Sequence, residues 1–446
     1  MTGDRGSVAG NSMRVLSAQV AANAGWLAAV LLLARALGPT GRGTVAFVTV
    51  SALVTPRVAL LGAGEAGKVL AATRPAARAK VLANLALMTL AAAVGGAGIT
   101  VATLILLPGV RPAGVGEAEL ALLAAGIVAV AGNWAAASFL QGRGRFRSFT
   151  RIVAVAPWLY AGLLAVEWSR EDLTVPAALG AWVIAQAVAT ALLWVVCVRD
   201  AGLARPDRRL LRESVAFGLQ AWIGGLAYLL NARVDQIIVG VIASEATLGV
   251  YAVAVNASEV LYLLPAAVAA ALLPAVARGS DAERAERTMR IFRAVVLVTA
   301  AGAGLAALIG PLLLPLAFGS AYHASVAPFL LLLPSAVGFA AISVFSSALL
   351  AGSAPALSSA GPLVSLVVGV VLDLTLVPAG GASGAAIAAS VALLCGGMTA
   401  VLAFHSRCGL PAVALVPRPE DLATLARPAR QLRSRLIARR AGARWS

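Results

Sequence analysis

The sequence has few charged residues and few of the residue types that build disulfide frameworks or metal sites. Only 12% of its 446 residues are Asp, Glu, Lys or Arg, against about 25% in a typical soluble protein. The cysteines, Cys197, Cys395 and Cys408, form no Cys-x-x-Cys pair, so neither disulfides nor a zinc site is indicated. The two histidines, His323 and His405, are too few and too far apart for a metal cluster. We therefore expect no metal and no cofactor.

Apolar residues are abundant instead. They make up 60% of the chain, and the mean hydropathy is +0.91. A membrane-spanning helix needs about 20 predominantly apolar residues. The sequence predicts an all-α integral membrane protein with twelve such spans, near residues 14–36, 44–66, 81–107, 118–140, 149–168, 174–197, 214–242, 246–276, 291–317, 324–349, 357–377 and 382–404.

The basic residues alternate between the connections of these spans. With the N-terminus in the cytoplasm, 29 of the 35 Lys and Arg residues lie in cytoplasmic segments, and three (Arg42, Arg111 and Arg170) lie in outer loops. Such asymmetry is the positive-inside pattern, and it predicts that both termini are cytoplasmic. The net charge of +16 then faces anionic membrane lipids, which we expect as partners in place of nucleic acid. The basic tail, 406–446, is expected to lie at the membrane surface or to be disordered.

A weak internal repeat relates the two halves of the chain. Residues 33–52 align without a gap on residues 239–258 at an offset of 206, with Gly43 on Gly249. Because six spans per half is an even number, both copies enter the membrane from the same side, which makes the repeat parallel. The predicted organisation is an N-terminal six-helix bundle (1–197), a basic cytoplasmic linker (198–213), a C-terminal six-helix bundle (214–405) and the basic tail (406–446).

Residues 62–68, GAGEAGK, match two nucleotide-binding patterns, but their context does not. A dinucleotide site needs an acidic residue about 20 positions further on, and none occurs between Glu65 and Glu117. A phosphate-binding loop needs Ser or Thr after Lys68, where the chain has Val69. We interpret these glycines as a close packing surface at the cytoplasmic end of the second span.

Several ionisable and polar residues lie inside predicted spans, where they are costly unless they face protein or water. In the seventh span, Tyr228, Asn231 and Asp235 share one helical face, on which Gln220 and Gly224 also lie, while Arg233 points elsewhere. In the eighth span, Asn256 and Glu259 share a face with Tyr262, and Glu259 falls near the midplane. Arg57 lies similarly deep in the second span, and Arg35 lies at the outer end of the first. The structural alternative is that these groups pair across helices, and that Arg35 reaches the interface.

Two stretches carry a family resemblance. LARALGPTGRGTVAF (33–47) and the segment 235–278, with its Asp-x-x-x-x-Gly, Gly-x-Tyr and late prolines, resemble the polysaccharide-biosynthesis flippases. These are the O-antigen and capsule translocases of the multidrug/oligosaccharidyl-lipid/polysaccharide exporter superfamily. The resemblance implies two six-helix bundles around a central cavity that opens alternately to each side of the bacterial cytoplasmic membrane. It also implies an undecaprenyl-diphosphate-linked oligosaccharide as substrate, for cell-surface polysaccharides such as lipopolysaccharide.

This substrate favours arginine ligands, because a guanidinium pairs with phosphate oxygens through two parallel hydrogen bonds. Arg57 is the first candidate for the headgroup, followed by Arg233 and Arg35. Asn231, Tyr228 and Asn256 are candidate substrate contacts. Asp235 and Glu259 are candidates for a coupling proton or cation, or for pairing with the arginines. The implied partners are a polysaccharide polymerase and glycosyltransferases of the same pathway.

Three alternatives stay open at this point. A cation-coupled exporter of small molecules or drugs belongs to the same superfamily, and an acidic cavity with dispensable arginines would support it. A flippase for the peptidoglycan precursor lipid II is a variant of the first hypothesis. A membrane enzyme such as a polymerase or ligase is disfavoured, because the longest outer connection, 167–174, is short and contains no His.

Overall fold

The computed structural model describes residues 7–276, 281–352 and 354–408. Every regular element in these ranges is helical, which confirms the predicted all-α class. Short 3-10 turns cover Pro75–Ala77, Glu259–Tyr262 and Ser320–Ser325. The α-helices are α1 (Ser7–Ala59), α2 (Ala63–Thr73), α3 (Arg78–Leu106), α4 (Glu117–Gly142), α5 (Phe146–Val153), α6 (Val155–Ser169), α7 (Val175–Ala201), α8 (Arg208–Ile242), α9 (Glu245–Ser258), α10 (Leu263–Val276), α11 (Asp281–Phe318), α12 (Val326–Leu332), α13 (Ser335–Ala351) and α14 (Pro355–Cys408).

The described ranges contain eight helices that are long and apolar enough to cross a membrane, or nine if the pair that includes α12 and α13, bent by 47°, is one span. The span predicted near 14–36 lies in α1, and the one predicted near 44–66 begins in α1 and ends in α2. The spans predicted near 357–377 and 382–404 both lie in α14. The span predicted near 214–242 lies in α8, which is not among the eight. The chain is therefore a multi-pass membrane protein, and the count of twelve spans stays a prediction.

Each of the two longest helices contains a glycine with non-helical dihedral angles. These are Gly38 in α1 (φ 63°, ψ −174°) and Gly381 in α14 (φ 51°, ψ −131°). Positive φ is costly for residues with a Cβ atom and readily adopted by glycine. Pro39 follows Gly38, and proline suits the first position of a new helix because its φ is already helical. A single glycine thus interrupts the helix at the point where the sequence predicted an outer loop containing Arg42.

One compact unit comprises the described residues up to Ala252 together with Pro315–His323. Within it, helix α4 packs against α1, α2, α3 and α7. The rings of Trp182 and Tyr160 are fully buried in this unit. The unit includes α8 and part of α9, so it extends beyond the predicted N-terminal bundle, 1–197, whose boundary stays a prediction.

The segment predicted as a cytoplasmic linker, 198–213, is bonded to helix α3. The side-chain amide of Asn84 donates to the carbonyl of Asp207 (2.9 Å), and the N–H of Asp207 donates to Oδ1 of Asn84 (2.8 Å). The Asp207 carboxylate caps α8 by accepting from the N–H of Leu210, and it lies 3.1 Å from Nζ of Lys80. The pKa of Asp207 is lowered from its ordinary value, mainly by the hydrogen bond from Leu210 and then by the one from Lys80.

The other compact unit comprises Val253–Leu314 and the described residues from Ala324 onward. Helix α13 packs closely along α14, and a Cβ atom on Gly338 would overlap the backbone of α14. The ring of Phe345 lies 4.6 Å from that of Phe292 and 5.1 Å from that of Phe404. The predicted C-terminal bundle, 214–405, therefore shares most of its helices with this unit. From residue 409 onward, the predicted basic tail lies outside the described residues.

The two aligned stretches of the repeat contact each other within the first unit. At the offset of 206, Pro39 corresponds to Glu245 and Gly43 to Gly249. A Cβ atom on Gly43 would overlap the backbone oxygen of Glu245, and one on Gly249 would overlap the backbone oxygen of Pro39. The contact is reciprocal, as expected where a two-fold axis relates two similar helices. It also explains why both positions are glycine, because any side chain would separate the two backbones.

Candidate substrate site

Arg57 lies in the last turn of α1, where three helices fix its position. Its guanidinium carbon lies 4.2 Å from the ring centroid of Trp134 on α4, a cation–π contact. The indole N–H of Trp222 on α8 donates to the backbone oxygen of Arg57 over 2.8 Å. Arg57 is half-buried, so part of its side chain stays accessible. The ring holds the guanidinium by one face and leaves its N–H donors available to a ligand.

Acidic and basic side chains on α2 complete the surroundings of Arg57. The chain turns at Leu61 and Gly62, both with positive φ, and then enters α2. Glu65, in the first turn of α2, interacts electrostatically with Arg57 and forms an ion pair with Lys68 (2.9 Å). The cluster Arg57, Glu65 and Lys68 is therefore net positive, which favours an anionic ligand.

The helix that carries Arg57 begins earlier than predicted. The second half of α1 begins directly after Gly38, so Arg57 lies about 28 Å along that helix at 1.5 Å per residue. A hydrocarbon core is about 30 Å thick, so a crossing that starts at Pro39 would end near Arg57. The prediction failed because apolar run length did not reveal that the helix already starts at Pro39.

The glycines of residues 62–68 pack closely, as predicted. A Cβ atom on Gly62 would overlap the backbone of Gly218, and one on Gly64 would overlap the ring of Trp134. Gly64 therefore lets α2 approach the same indole that contacts Arg57.

Asp235 forms a buried hydrogen bond between α8 and α9. Its Oδ2 atom accepts from the hydroxyl of Tyr251 over 2.6 Å, and its carboxylate is largely inaccessible to solvent. Gly240 on α8 packs against the ring of Phe47 on α1, and Gly249 packs against Pro39. The Asp-x-x-x-x-Gly and Gly-x-Tyr motifs thus supply contacts among α1, α8 and α9. This geometry favours a structural role for Asp235 over a coupling role.

The other candidates on α8 form hydrogen bonds to their own helix. Nη1 of Arg233 donates to the backbone oxygen of Ala232 over 2.9 Å, and Nδ2 of Asn231 donates to that of Ala227 over 3.1 Å. Tyr228 is 53% exposed. Their roles as substrate contacts stay predictions.

Arg35 binds the end of another helix. Its Nε donates to the backbone oxygen of Ala317 (2.8 Å) and its Nη2 to that of Leu316 (3.0 Å), both in the last turn of α11. A cation at a helix C-terminus satisfies free carbonyl groups and interacts favourably with the helix dipole. The contacts of Arg35 are those of a helix cap, and they are separate from the cluster around Arg57.

Asn256 and Glu259 lie in the second unit, next to a break in the predicted eighth span. Helix α9 ends at Ser258, and a 3-10 turn covers Glu259–Tyr262 before α10 begins. Pro265 gives the physical reason, since it offers no N–H to the carbonyl one turn earlier and crowds it. Both Asn256 and Glu259 are half-buried. The helical span Glu245–Ala269 thus continues through Glu259 with a local change to 3-10 geometry, and the role of Glu259 stays a prediction.

Sequence reasoning missed the aromatic groups around Arg57 and the burial of Arg42. Trp134 and Trp222 lie in other spans, and no periodicity links them to Arg57. Arg42 was predicted to lie in an outer loop, whereas its side chain is buried in α1. The available signal was its place three residues after Pro39, since proline often opens a helix.

The sequence model of the family described as "Polysaccharide biosynthesis protein" matches residues 32–327, which is more than half of the chain. The chain belongs to the polysaccharide biosynthesis protein family. This membership confirms the resemblance stated from the two stretches, 33–47 and 235–278. No curated protein matches the sequence.

Two solved structures share the fold of this chain. An inward-facing multidrug resistance MATE family transporter of the MOP superfamily has a TM-score of 0.71 at 16% identity, covering 89% of this chain and 98% of its own. The lipid II flippase MurJ, in an inward closed conformation, has a TM-score of 0.73 at 12% identity, covering 90% and 88%. At 12–16% identity, this likeness establishes a shared fold.

Proposed function

We propose that this chain translocates an undecaprenyl-diphosphate-linked oligosaccharide across the bacterial cytoplasmic membrane, for cell-surface polysaccharide biosynthesis. Transport proceeds by alternating access, with twelve spans in two like-oriented six-helix bundles and both termini in the cytoplasm. The expected partners are the polysaccharide polymerase and glycosyltransferases that consume and supply the substrate.

The observation that carries this proposal is the arrangement of Arg57. A lipid diphosphate brings negative charge into an apolar medium, and this charge needs a positioned cation. Arg57 is half-buried, is held on one face by Trp134, and has Lys68 nearby to balance Glu65. Its place near the end of the crossing fits a ligand whose diphosphate enters from the headgroup layer while the prenyl chain stays in lipid.

The reciprocal contact of Gly43 and Gly249 supports the like-oriented halves. It occurs at corresponding positions of the repeat, at the first residues of two helices that start on the same side. By the distribution of basic residues this is the outer side. We propose that this backbone contact closes the outer end while the substrate enters from the cytoplasm, and that it separates during release.

The test is deletion of the gene in its host, followed by measurement of undecaprenyl-diphosphate oligosaccharide on the cytoplasmic leaflet. We expect accumulation that wild type relieves, Arg57→Lys relieves in part and Arg57→Ala does not relieve. Arg170→Ala is the matched control, because Arg170 is an exposed arginine at the end of α6. Mass spectrometry of the accumulated lipid would distinguish lipid II from another oligosaccharide.

One outcome would contradict the proposed function, and another would contradict only the role of Arg57. Absence of lipid accumulation, together with changed sensitivity to drugs or cations, would favour the cation-coupled exporter of small molecules. Full complementation by Arg57→Ala would leave the flippase class intact but remove Arg57 from the site.

A further inference from the structure

A second arginine in the first unit is more deeply buried than Arg57 and has no role in the proposed headgroup site. The side chain of Arg42 lies in α1 after the bend at Gly38, and the residue is only 5% exposed. Its Nε atom has no hydrogen-bond partner among the described residues. Arginine stays charged inside proteins, so this guanidinium requires a compensating group.

Two tyrosine hydroxyl groups of the first unit are also buried without a hydrogen-bond partner in the described part of the chain. The hydroxyl groups of Tyr160 on α6 and Tyr322 in the 3-10 turn Ser320–Ser325 are both buried, and neither has a hydrogen-bond partner within the described ranges. Each interacts electrostatically with Arg42, yet no hydrogen bond joins either hydroxyl to the guanidinium. Three buried polar atoms of the first unit therefore lack hydrogen-bond partners among the residues described, and Arg42 is electrostatically coupled to both phenols.

The chemistry of these three side chains determines which charge a ligand would carry. Buried polar groups in proteins are nearly always paired, so three orphaned and electrostatically coupled groups indicate a missing partner. Arg42 can only donate hydrogen bonds, and each phenol has a hydrogen to donate. In the part of the chain that the structure describes, no Asp or Glu forms an ion pair with Arg42. The missing partner must therefore accept hydrogen bonds and carry negative charge.

We infer that Arg42, Tyr160 and Tyr322 form a buried binding site for a small anion, which accepts hydrogen bonds from all three side chains. The ligand class is a halide or a phosphate group. Aromatic packing holds both tyrosine rings in place. The centroid of the Tyr160 ring lies 5.9 Å from that of Trp26, and the centroid of the Tyr322 ring lies 6.2 Å from that of Phe318. Bound anion would join α1, α6 and the turn after α11 within the first unit.

The proposal does not depend on the substrate of transport, and it is tested on the purified full-length protein in detergent. Thermal unfolding would be measured in chloride, in inorganic phosphate and in gluconate at equal ionic strength and pH, and with added undecaprenyl phosphate. A ligand that binds only the folded state raises the unfolding temperature as its concentration rises above Kd. We expect a rise of a few degrees in chloride or phosphate relative to gluconate.

Substitutions at the three residues test whether the anion-dependent rise of the unfolding temperature arises at this site. Arg42→Gln removes the charge, and the double variant Tyr160→Phe/Tyr322→Phe removes two donors with little change of shape. Both should lose the anion-dependent rise, whereas Arg170→Gln, at an exposed site, should keep it. If Arg42→Gln does not fold, the tyrosine double variant and Arg42→Lys still provide the test.

The unfolding temperatures in the four solutions distinguish the possible ligands. A rise with chloride or phosphate that the double variant loses supports a free inorganic anion, and a rise with undecaprenyl phosphate alone supports a lipid headgroup in the same site. Equal unfolding temperatures in all four conditions would overturn the proposal, because water would then satisfy the three groups. An anion effect that the double variant retains would also overturn it.

Discussion

The hydroxyl of Tyr251 donates a hydrogen bond to Asp235 across 2.6 Å, joining helices α8 and α9 inside the first unit. This bond links the two most specific parts of the family motif, the aspartate that begins it and the tyrosine of Gly-x-Tyr. An intramembrane aspartate suggests coupling to a proton or cation, but this one already has a buried donor. The distinction between holding helices together and moving charge can be tested.

We predict that Tyr251→Phe destabilises the protein by about 1–3 kcal/mol, because it leaves a buried acceptor without its donor. Asp235→Asn keeps an oxygen that accepts the Tyr251 bond, so it should retain most transport activity. Thermal unfolding and a flippase assay on the two variants measure both effects. Loss of transport in Asp235→Asn at normal stability would restore the coupling role.

Trp134 is expected to orient Arg57 for its ligand. Trp134→Phe keeps an aromatic face but weakens the cation–π contact by about 0.5–1 kcal/mol, which corresponds to roughly a two- to five-fold loss of substrate affinity. The measurement is the substrate dependence of the initial transport rate. Trp158→Phe is the matched control, since Trp158 lies on α6 and donates to the backbone oxygen of Ala21. Equal losses in both variants would argue against an orienting role.

Gly43 and Gly249 should tolerate no side chain. We predict that Gly43→Ala or Gly249→Ala costs about 1–3 kcal/mol of stability, because the new methyl group meets a backbone oxygen that cannot rotate away. Gly180→Ala on α7 is the control, because nothing lies within 4 Å of its added Cβ atom and alanine favours the helix. Unfolding temperatures measured in detergent compare the three. A neutral Gly249→Ala would show that the two backbones do not touch.

Asp207 makes a pH-dependent contribution to stability. Its pKa is lowered in the folded protein, chiefly by the Leu210 N–H bond and next by Lys80, so the folded state favours the carboxylate. The contribution is therefore fully present above the unfolded pKa of about 3.9, and it is lost as pH falls through the lower folded pKa. We predict that Asp207→Asn lowers the unfolding temperature at pH 7 and that this difference shrinks in acid.

The control for this pH effect is Asp172→Asn, at an exposed position in the connection between α6 and α7. It should leave the unfolding temperature near that of wild type at every pH. A difference between Asp207→Asn and wild type that stays constant down to pH 3 would contradict the assignment.

The sequence by itself determined that this protein lies in a membrane and that it is built of helices. A mean hydropathy of +0.91 and long uncharged runs allow only helices in lipid, because each backbone group must be bonded within its own segment. The same local logic predicts the repeat, and its aligned glycines are in contact in the structure. It also found Arg57, Asp235 and Glu259, since an ionisable residue in an apolar run is visible without knowledge of its neighbours.

Only the tertiary structure showed which side chains those residues contact. The contact of Arg57 with Trp134 joins positions 77 residues apart, and Arg42 is electrostatically coupled to tyrosines in two other segments that no periodicity relates to it. Hydropathy is a property of each segment alone, whereas a pair of side chains depends on which helix faces which. For that reason the local sequence predicted Arg42 in a loop, whereas packing in the folded chain buries its side chain.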